Sequence, residues 1–337
     1  MNRIVELDNL KAFAIFCVVL GHTIQHFDRT GTMDEVYSVI YSFHMPLFMT
    51  ISGFFISKLF TMRIDKVIIR KSRQLLLPVL TFSILAYLLS ILTPINLIGS
   101  HTYIEYVFGG NMWFLKYLFA CIIFACVSKL IFRNTLLAAL LPAIVMLSVS
   151  RVGLVRIYPF LWFGFCLHHY KCLIDKHAKT LLGVSFIVFV VLLLFWKMEY
   201  HYPNYRWITI KHGVTFDWFS LYVVVYRLLI GATGSLFFII LFKQISLMSK
   251  ESNCSFQIVN KIASSIGKRT LGIYCLQIYL LEDIADYFPA LPFDGIALVV
   301  CVLAIAVIEL LLCASITALL EKNKYTALFF LGQKKRT

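Results

Sequence analysis

The chain has 337 residues, 60% of them apolar and only 14% charged, with a mean hydropathy of +0.84 and a net charge of +14. A soluble domain carries roughly 25% charged residues, so this composition excludes a soluble enzyme. A positive excess in a soluble chain would suggest nucleic acid, but the bases here recur in every second polar segment between apolar blocks, which excludes a nucleic-acid partner and points to a membrane.

The apolar blocks run for about 17 to 25 residues, the length of a membrane-spanning helix. Hydrocarbon offers backbone amides no partner outside their own helix. Spans are predicted near 10–27, 37–57, 75–93, 113–132, 135–150, 154–170, 180–196, 219–242, 270–288 and 296–320. The fold class is therefore all-α, a polytopic membrane helical bundle with about ten transmembrane helices. A single membrane-embedded domain covers 1–337, closing in a short cytoplasmic tail at 321–337. Glu6 and Asp8 precede the first block and no small-residue cleavage site follows it, so it is expected to be a retained span rather than a signal peptide. Nine cysteines are scattered through the apolar runs without zinc spacing, and no metal is expected.

Lys and Arg concentrate on the cytoplasmic side of membrane proteins. With the N-terminus inside, 23 of the 31 bases fall in inner segments. Both termini are thus expected in the cytoplasm, and the chain in a bacterial inner (plasma) membrane.

Ionisable side chains inside spans are costly and usually face a protein interior or a wet cavity. In chain order, Lys11 opens the first span and His22 stands near its outer end, about 16 Å further along the same face. His26 makes an HxxxH spacing with His22, but no Glu or Cys accompanies it as a further metal ligand. His44 opens the second span from outside, in Phe43-His44-Met45-Pro46. The inner segment 58–74 holds six bases and one acid, and Arg70 and Arg73 are spaced to share the start of the third helix. Such a segment suits anionic lipid and equally a phosphate-rich substrate, whose oxygens match guanidinium forks. Lys116 sits just inside the fourth span and Arg227 about two turns inside the eighth. His22, His44, Lys116 and Arg227 all fall in the outer half of the membrane and are expected to form one polar pocket. The bland alternatives are a snorkelling Lys116, an interfacial His44 bonded to backbone, and an Arg227 with a purely structural partner.

These residues carry a family resemblance. Leu7-Asp8-Asn9-Leu10-Lys11-Ala12 followed by Val18-Val19-Leu20-Gly21-His22 resembles the opening of the acyltransferase-3 family of membrane acyltransferases. Phe43-His44-Met45-Pro46-Leu47-Phe48, ending in Ser52-Gly53-Phe54, resembles its second span, and Arg70-Lys71-Ser72-Arg73 its RxxR element. Trp113-Phe114-Leu115 and Leu271-Gly272-Ile273-Tyr274 are weaker echoes. The nearest subgroup is that of sugar O-acetylation, including fucose O-acetylase-like proteins. The resemblance implies ten helices, acetyl-CoA as co-substrate, an essential histidine at His22 and a CoA-binding pair at Arg70 and Arg73. Lys11 stands where the family usually has arginine, which keeps the charge but loses the planar fork.

The function expected is O-acetyl transfer from acetyl-CoA to a hydroxyl of a cell-surface carbohydrate: O-antigen, capsule or a related polysaccharide, lipid-linked or not. His22, His44, Lys116 and Arg227 are the catalytic candidates, and Lys11, Arg70 and Arg73 the acetyl-CoA-binding ones. His22 acts either as general base or as the acyl-accepting nucleophile, with Glu282, Asp283 and Asp286 as possible carboxylates to orient it. The alternative function is a transporter or flippase for a lipid-linked sugar. It would call for paired Gly/Pro-broken helices in two related halves, and no such pairing is found. A sugar polymerase or ligase would work without any acyl-CoA.

Overall fold

The computed structural model describes residues 5–92, 102–108, 112–149, 154–201, 207–210, 214–248, 254–279 and 291–334. Helix α1 (Val5–Phe27) carries Glu6 and Asp8 in its first turn, where acids suit the helix dipole. The turn that follows is built on Asp28, whose Oδ1 accepts from the Thr30 and Gly31 amides and whose Oδ2 accepts from Met33 N at 2.6 Å. Then come α2 (Asp34–Gly53), α3 (Ser57–Phe60), α4 (Ile64–Lys71), a π-helical segment Ser72–Leu76, and α5 (Leu77–Leu92). They are followed by α6 (Tyr103–Phe108), α7 (Trp113–Ile131), α8 (Thr135–Val149), α9 (Leu154–His169), α10 (Lys171–Lys176) and α11 (Ala178–Leu194). A 3-10 turn at Met198–His201 precedes two short antiparallel strands, β1 (Ile208–Ile210) and β2 (Val214–Phe216), with Ile208 opposite Phe216. Helices α12 (Trp218–Met248), α13 (Cys254–Gly267), α14 (Thr270–Gln277), α15 (Gly295–Leu320) and α16 (Lys324–Leu331) complete the chain.

Five helical stretches among the described residues are long and apolar enough to cross a membrane: Val5–Phe27, Ile64–Leu92, Trp113–Ile131, Trp218–Met248 and Gly295–Leu320. Shorter apolar helices lie at Thr135–Ile144 and Ala178–Leu194. Helix α15 shows why lipid must be the solvent. Its inner stripe buries Val302, Ala306, Cys313 and Thr317, yet the outward residues Ile296, Val300, Ile308 and Leu312 are apolar too. A helix apolar all round belongs in a core or a bilayer. The protein is a multi-pass helical membrane bundle.

Three features differ from the expected layout. The basic segment before residue 75 is helical from Ile64, so it runs without a break into the third expected span. The segment expected as a tail folds as α16, with Ala327 and Leu331 buried. And 208–216, expected as plain outer loop, contains the strand pair, whose Ile, Thr and Val residues are β-branched and favour strands.

The chain forms two compact units: Met1–Tyr37, Ile68–Phe119 and Asn253–Thr337 in the first, Ser38–Val67 and Ala120–Ser252 in the second. In the first, α1 packs on α13, α14 and α15, and α5 on α16. Helix α13 ends against α1 at Gly267, where an added Cβ would stand 1.7 Å from the Asp8 carbonyl oxygen. In the second unit α11 packs on α12 and α8 on α9. There α2 and α9 cross backbone to backbone through two reciprocal glycines. A Cβ on Gly53 would lie 2.0 Å from Leu161 O, and one on Gly164 would lie 1.9 Å from Thr50 O.

Candidate active site

The first unit holds Lys11, His22, Arg70, Arg73 and Lys116. Helix α1 is buried along most of its length, Leu10, Ala14 and Val19 completely, so the side chains it carries face protein on several sides. Lys11 Nζ lies 3.7 Å from Asp8 Oδ1, one turn earlier, in an ion pair whose acid is nearly buried. His22 is half-buried near the far end, beside fully buried Thr23. Lys116, in the first turn of α7, donates to the Val107 carbonyl at 2.9 Å, satisfying one of the acceptors at the end of α6. Its ammonium is thus tied to protein backbone.

Arg70 closes α4 and is exposed, whereas Arg73 lies in the π-helical segment and is half-buried. The Arg73 Nε is buried and makes no hydrogen bond among the described residues. π-helical turns are uncommon and recur at functional sites. This one is braced from outside. Helix α16 ends in left-handed Gly332 (φ 62°), whose N–H bonds to Leu328 O at 3.0 Å, an αL-type cap. A Cβ at Gly332 would stand 2.3 Å from the Arg73 carbonyl oxygen, so only glycine allows this approach. An arginine with a buried, unanswered N–H on a braced turn fits the phosphates of an acyl-CoA.

The second unit holds His44 and Arg227 and adds two residues to them. Buried His44 bonds through Nδ1 to the Ile40 carbonyl at 2.7 Å. A carbonyl only accepts, so Nδ1 carries the hydrogen of this bond. Pro46, two residues on, has no amide to donate and locally loosens α2. The Tyr41 ring lies edge-on to His44 at 4.7 Å and edge-on to His201 at 4.9 Å. Arg156 Nη1 donates to the His201 carbonyl at 3.3 Å. The His201 imidazole is held far below the usual histidine range, to about 3, by burial first and then by Arg227, His44 and Arg156. His44, Arg156 and Arg227 thus gather about His201, with Tyr41 between the two imidazoles. Beside it stands an aromatic wall in which Trp196 stacks on Tyr226 at 6.2 Å, with Tyr200 edge-on to both. Trp196 Nε1 is anchored on Ser38 O at 3.1 Å.

The structure thus joins His44 to Arg227 through His201, and sets His22 and Lys116 in the other unit. His201 and Arg156 lie in segments that reading the sequence assigned to outer loops or a loop edge, where nothing separates a site histidine from a solvated one. Glu309 and Gln277, both buried in the first unit, were also passed over, although Glu309 stands in the middle of the last span. Glu282, Asp283 and Asp286 lie outside the described residues. Among the described residues no group of three or more His, Cys, Asp or Glu side chains is placed to hold a metal ion.

Comparison with known proteins gives the chain a family. The chain is 26% identical over 311 residues to nodulation protein NolL of Sinorhizobium fredii, covering 85% of this chain and 81% of that protein. It is 36% identical over 97 residues to nodulation protein NolL of Mesorhizobium japonicum, covering 26% of this chain and 25% of that one. No solved structure matches it. The model of the acyltransferase domain matches residues 4–314, which takes in every candidate named above, and the chain therefore belongs to the acyltransferase-3 family and is a membrane acyltransferase.

Proposed function

We propose that the protein transfers an acetyl group from acetyl-CoA to a hydroxyl of a cell-surface carbohydrate, O-antigen, capsule or a related polysaccharide, in a bacterial inner membrane with both termini in the cytoplasm. The family match over residues 4–314 carries this reading, and it favours an enzyme over a flippase. The buried, unanswered Nε of Arg73 supports a phosphate-bearing donor. Arg70 and Arg73 hold the nucleotide phosphates, and Lys11 lies on the same helix as His22, on the path of the pantetheine arm.

At the far end His22 takes the proton of the attacking hydroxyl as its oxygen bonds to the thioester carbonyl carbon. The C–S bond then breaks, and the leaving thiolate receives that proton from the imidazolium. Lys116 steadies the negative charge on the carbonyl oxygen, an effect worth about 3 kcal/mol. His44, His201 and Arg227, with the Trp196–Tyr226 wall, suit a carbohydrate. Neutral imidazoles accept sugar hydroxyls, guanidiniums donate to sugar oxygens, and flat rings cover the apolar face of a pyranose.

The test is a purified assay with labelled acetyl-CoA and surface glycan from a strain lacking the protein. The glycan should gain label, seen by mass spectrometry as an acetyl increment. Label that stays in acetyl-CoA across a panel of glycans would overturn the reading.

A further inference from the structure

An ionisable group in a membrane span needs a partner or a wet cavity. Glu309 stands midway along α15 at 6% exposure, and among the described residues neither carboxylate oxygen has a hydrogen-bond partner. Gln277 ends α14 at 0% exposure, and among the described residues neither its carboxamide oxygen nor its nitrogen has one. Leaving such groups unanswered is costly, and these two sit on helices that pack together and on α1. Two buried polar side chains thus share one three-helix seam, with donor and acceptor capacity that no described residue meets.

Two pairs set the register of the seam. Arg269 Nε donates to Glu321 Oε2 at 2.8 Å, and a Cβ on Gly272 would lie 2.5 Å from Thr317 Cγ2. The residue numbers rise on one helix as they fall on the other, so α14 and α15 are antiparallel. Gln277 is then level with Leu312, and Glu309 lies three residues, about 5 Å, further along. Helix α14 starts three residues after the Gly267–Asp8 approach and packs on α1, which directs it along that helix. On that scale Gln277 stands roughly 10–15 Å beyond Asp8, Glu309 roughly 15–20 Å, and His22 roughly 21 Å. The pair lies between the Lys11 end of α1 and His22.

We propose that Gln277 and Glu309 form the subsite for the two amide groups of the pantetheine arm of acyl-CoA. This rests on acetyl-CoA being the donor. The two amides of pantetheine are joined by two methylenes and stand about 5 Å apart, nitrogen to nitrogen, when extended, which is the axial offset of the two side chains. A carboxamide can pair with a secondary amide either way, donating to its carbonyl or accepting from its N–H. Glu309, nearer His22, accepts from the N–H of the amide next to the thioester. Gln277 meets the other amide.

The experiment compares wild type, Gln277→Leu and Glu309→Leu, with Gln277→Met as a near-isosteric second variant. The donors are acetyl-CoA and S-acetyl-N-acetylcysteamine, which keeps only the amide beside the thioester. Both Gln277 variants should raise KM for acetyl-CoA tenfold or more and leave kcat/KM for the short donor within twofold. Glu309→Leu should lower kcat/KM for both donors about tenfold. Without donor, Tm should hold or rise in every variant, because an unanswered buried group has been removed, while the rise in Tm that CoA gives wild type should shrink. A Gln277 effect equal on both donors, or absent from both, would overturn the proposal, as would a drop in Tm with donor preference unchanged. Turnover of neither donor by wild type would instead refute acetyl-CoA as the donor.

Discussion

Replacing Gly164 with alanine should separate α2 from α9 and weaken both fold and function. The new Cβ would stand 1.9 Å from the Thr50 carbonyl oxygen, whereas a carbon and a carbonyl oxygen ordinarily approach to about 3.3 Å. The backbones must part by roughly 1.4 Å, because the obstacle is main chain and no rotamer relieves it. Overpacking of this kind costs about 1–3 kcal/mol, and a clash with backbone belongs at the upper end. Gly53→Ala meets Leu161 O at 2.0 Å and should cost about as much. Once one methyl has parted the helices the second finds room, so the double variant should fall well short of the sum of the two. Helix α2 carries His44 and α9 carries Arg156, so KM for the acceptor should rise with the loss of stability. Gly183→Ala in α11, where a Cβ meets nothing within 4 Å, is the control and should hold Tm or raise it slightly. Thermal unfolding of the purified protein in detergent, with acceptor kinetics, measures all four. Gly164→Ala with the Tm of wild type, or strict additivity in the double variant, would refute the reciprocal crossing.

Arg73→Ala should raise KM for acetyl-CoA about 10- to 100-fold, the loss of one or two charge-assisted bonds, and Arg73→Lys should recover only part of it; an unchanged KM would return the segment to anchoring on lipid. The His201 imidazole is neutral in the folded state down to about pH 3 but charges near 6.5 when unfolded. Because the folded value is depressed, its contribution is complete above pH 6.5 and is lost as the pH falls toward 3, reaching about 2 kcal/mol lost at pH 5. His201→Phe should flatten the dependence of Tm on pH between 7.5 and 5, and a slope equal to wild type would contradict the burial assigned to this ring.

The helical bundle was legible because twenty apolar residues in a row leave a chain few options, and α1, α7, α12 and α15 lie where the apolar blocks lie. His44 and Arg227 stand out for a related reason, as ionisable groups within lipid-length helices, and both lie close enough to His201 to lower its pKa. His44 also has the backbone partner that its bland reading required, so one residue serves both descriptions. Glu309 obeys the same rule as His22, yet among the leucines of α15 no pattern shows which neighbour it faces. That needs the register set by Gly272 and Thr317. The fold of α16 was hidden because Tyr325–Leu331 is too short to span a bilayer, so it reads as a tail. Its docking depends on Gly332 approaching the Arg73 backbone, a contact between residues far apart in the chain. The Gly53–Gly164 crossing is equally silent in sequence, since glycines in membrane helices are common and only a facing carbonyl gives them a purpose.

The central claim is that His22 performs the transfer. Purified wild type and His22→Ala, matched for Tm and for CoA binding, should be given labelled acetyl-CoA and the acceptor glycan. Wild type should label the glycan, and His22→Ala should bind CoA as before but transfer at least 1,000-fold more slowly, in keeping with loss of a general base. Glycan labelled by His22→Ala at the wild-type rate would contradict it.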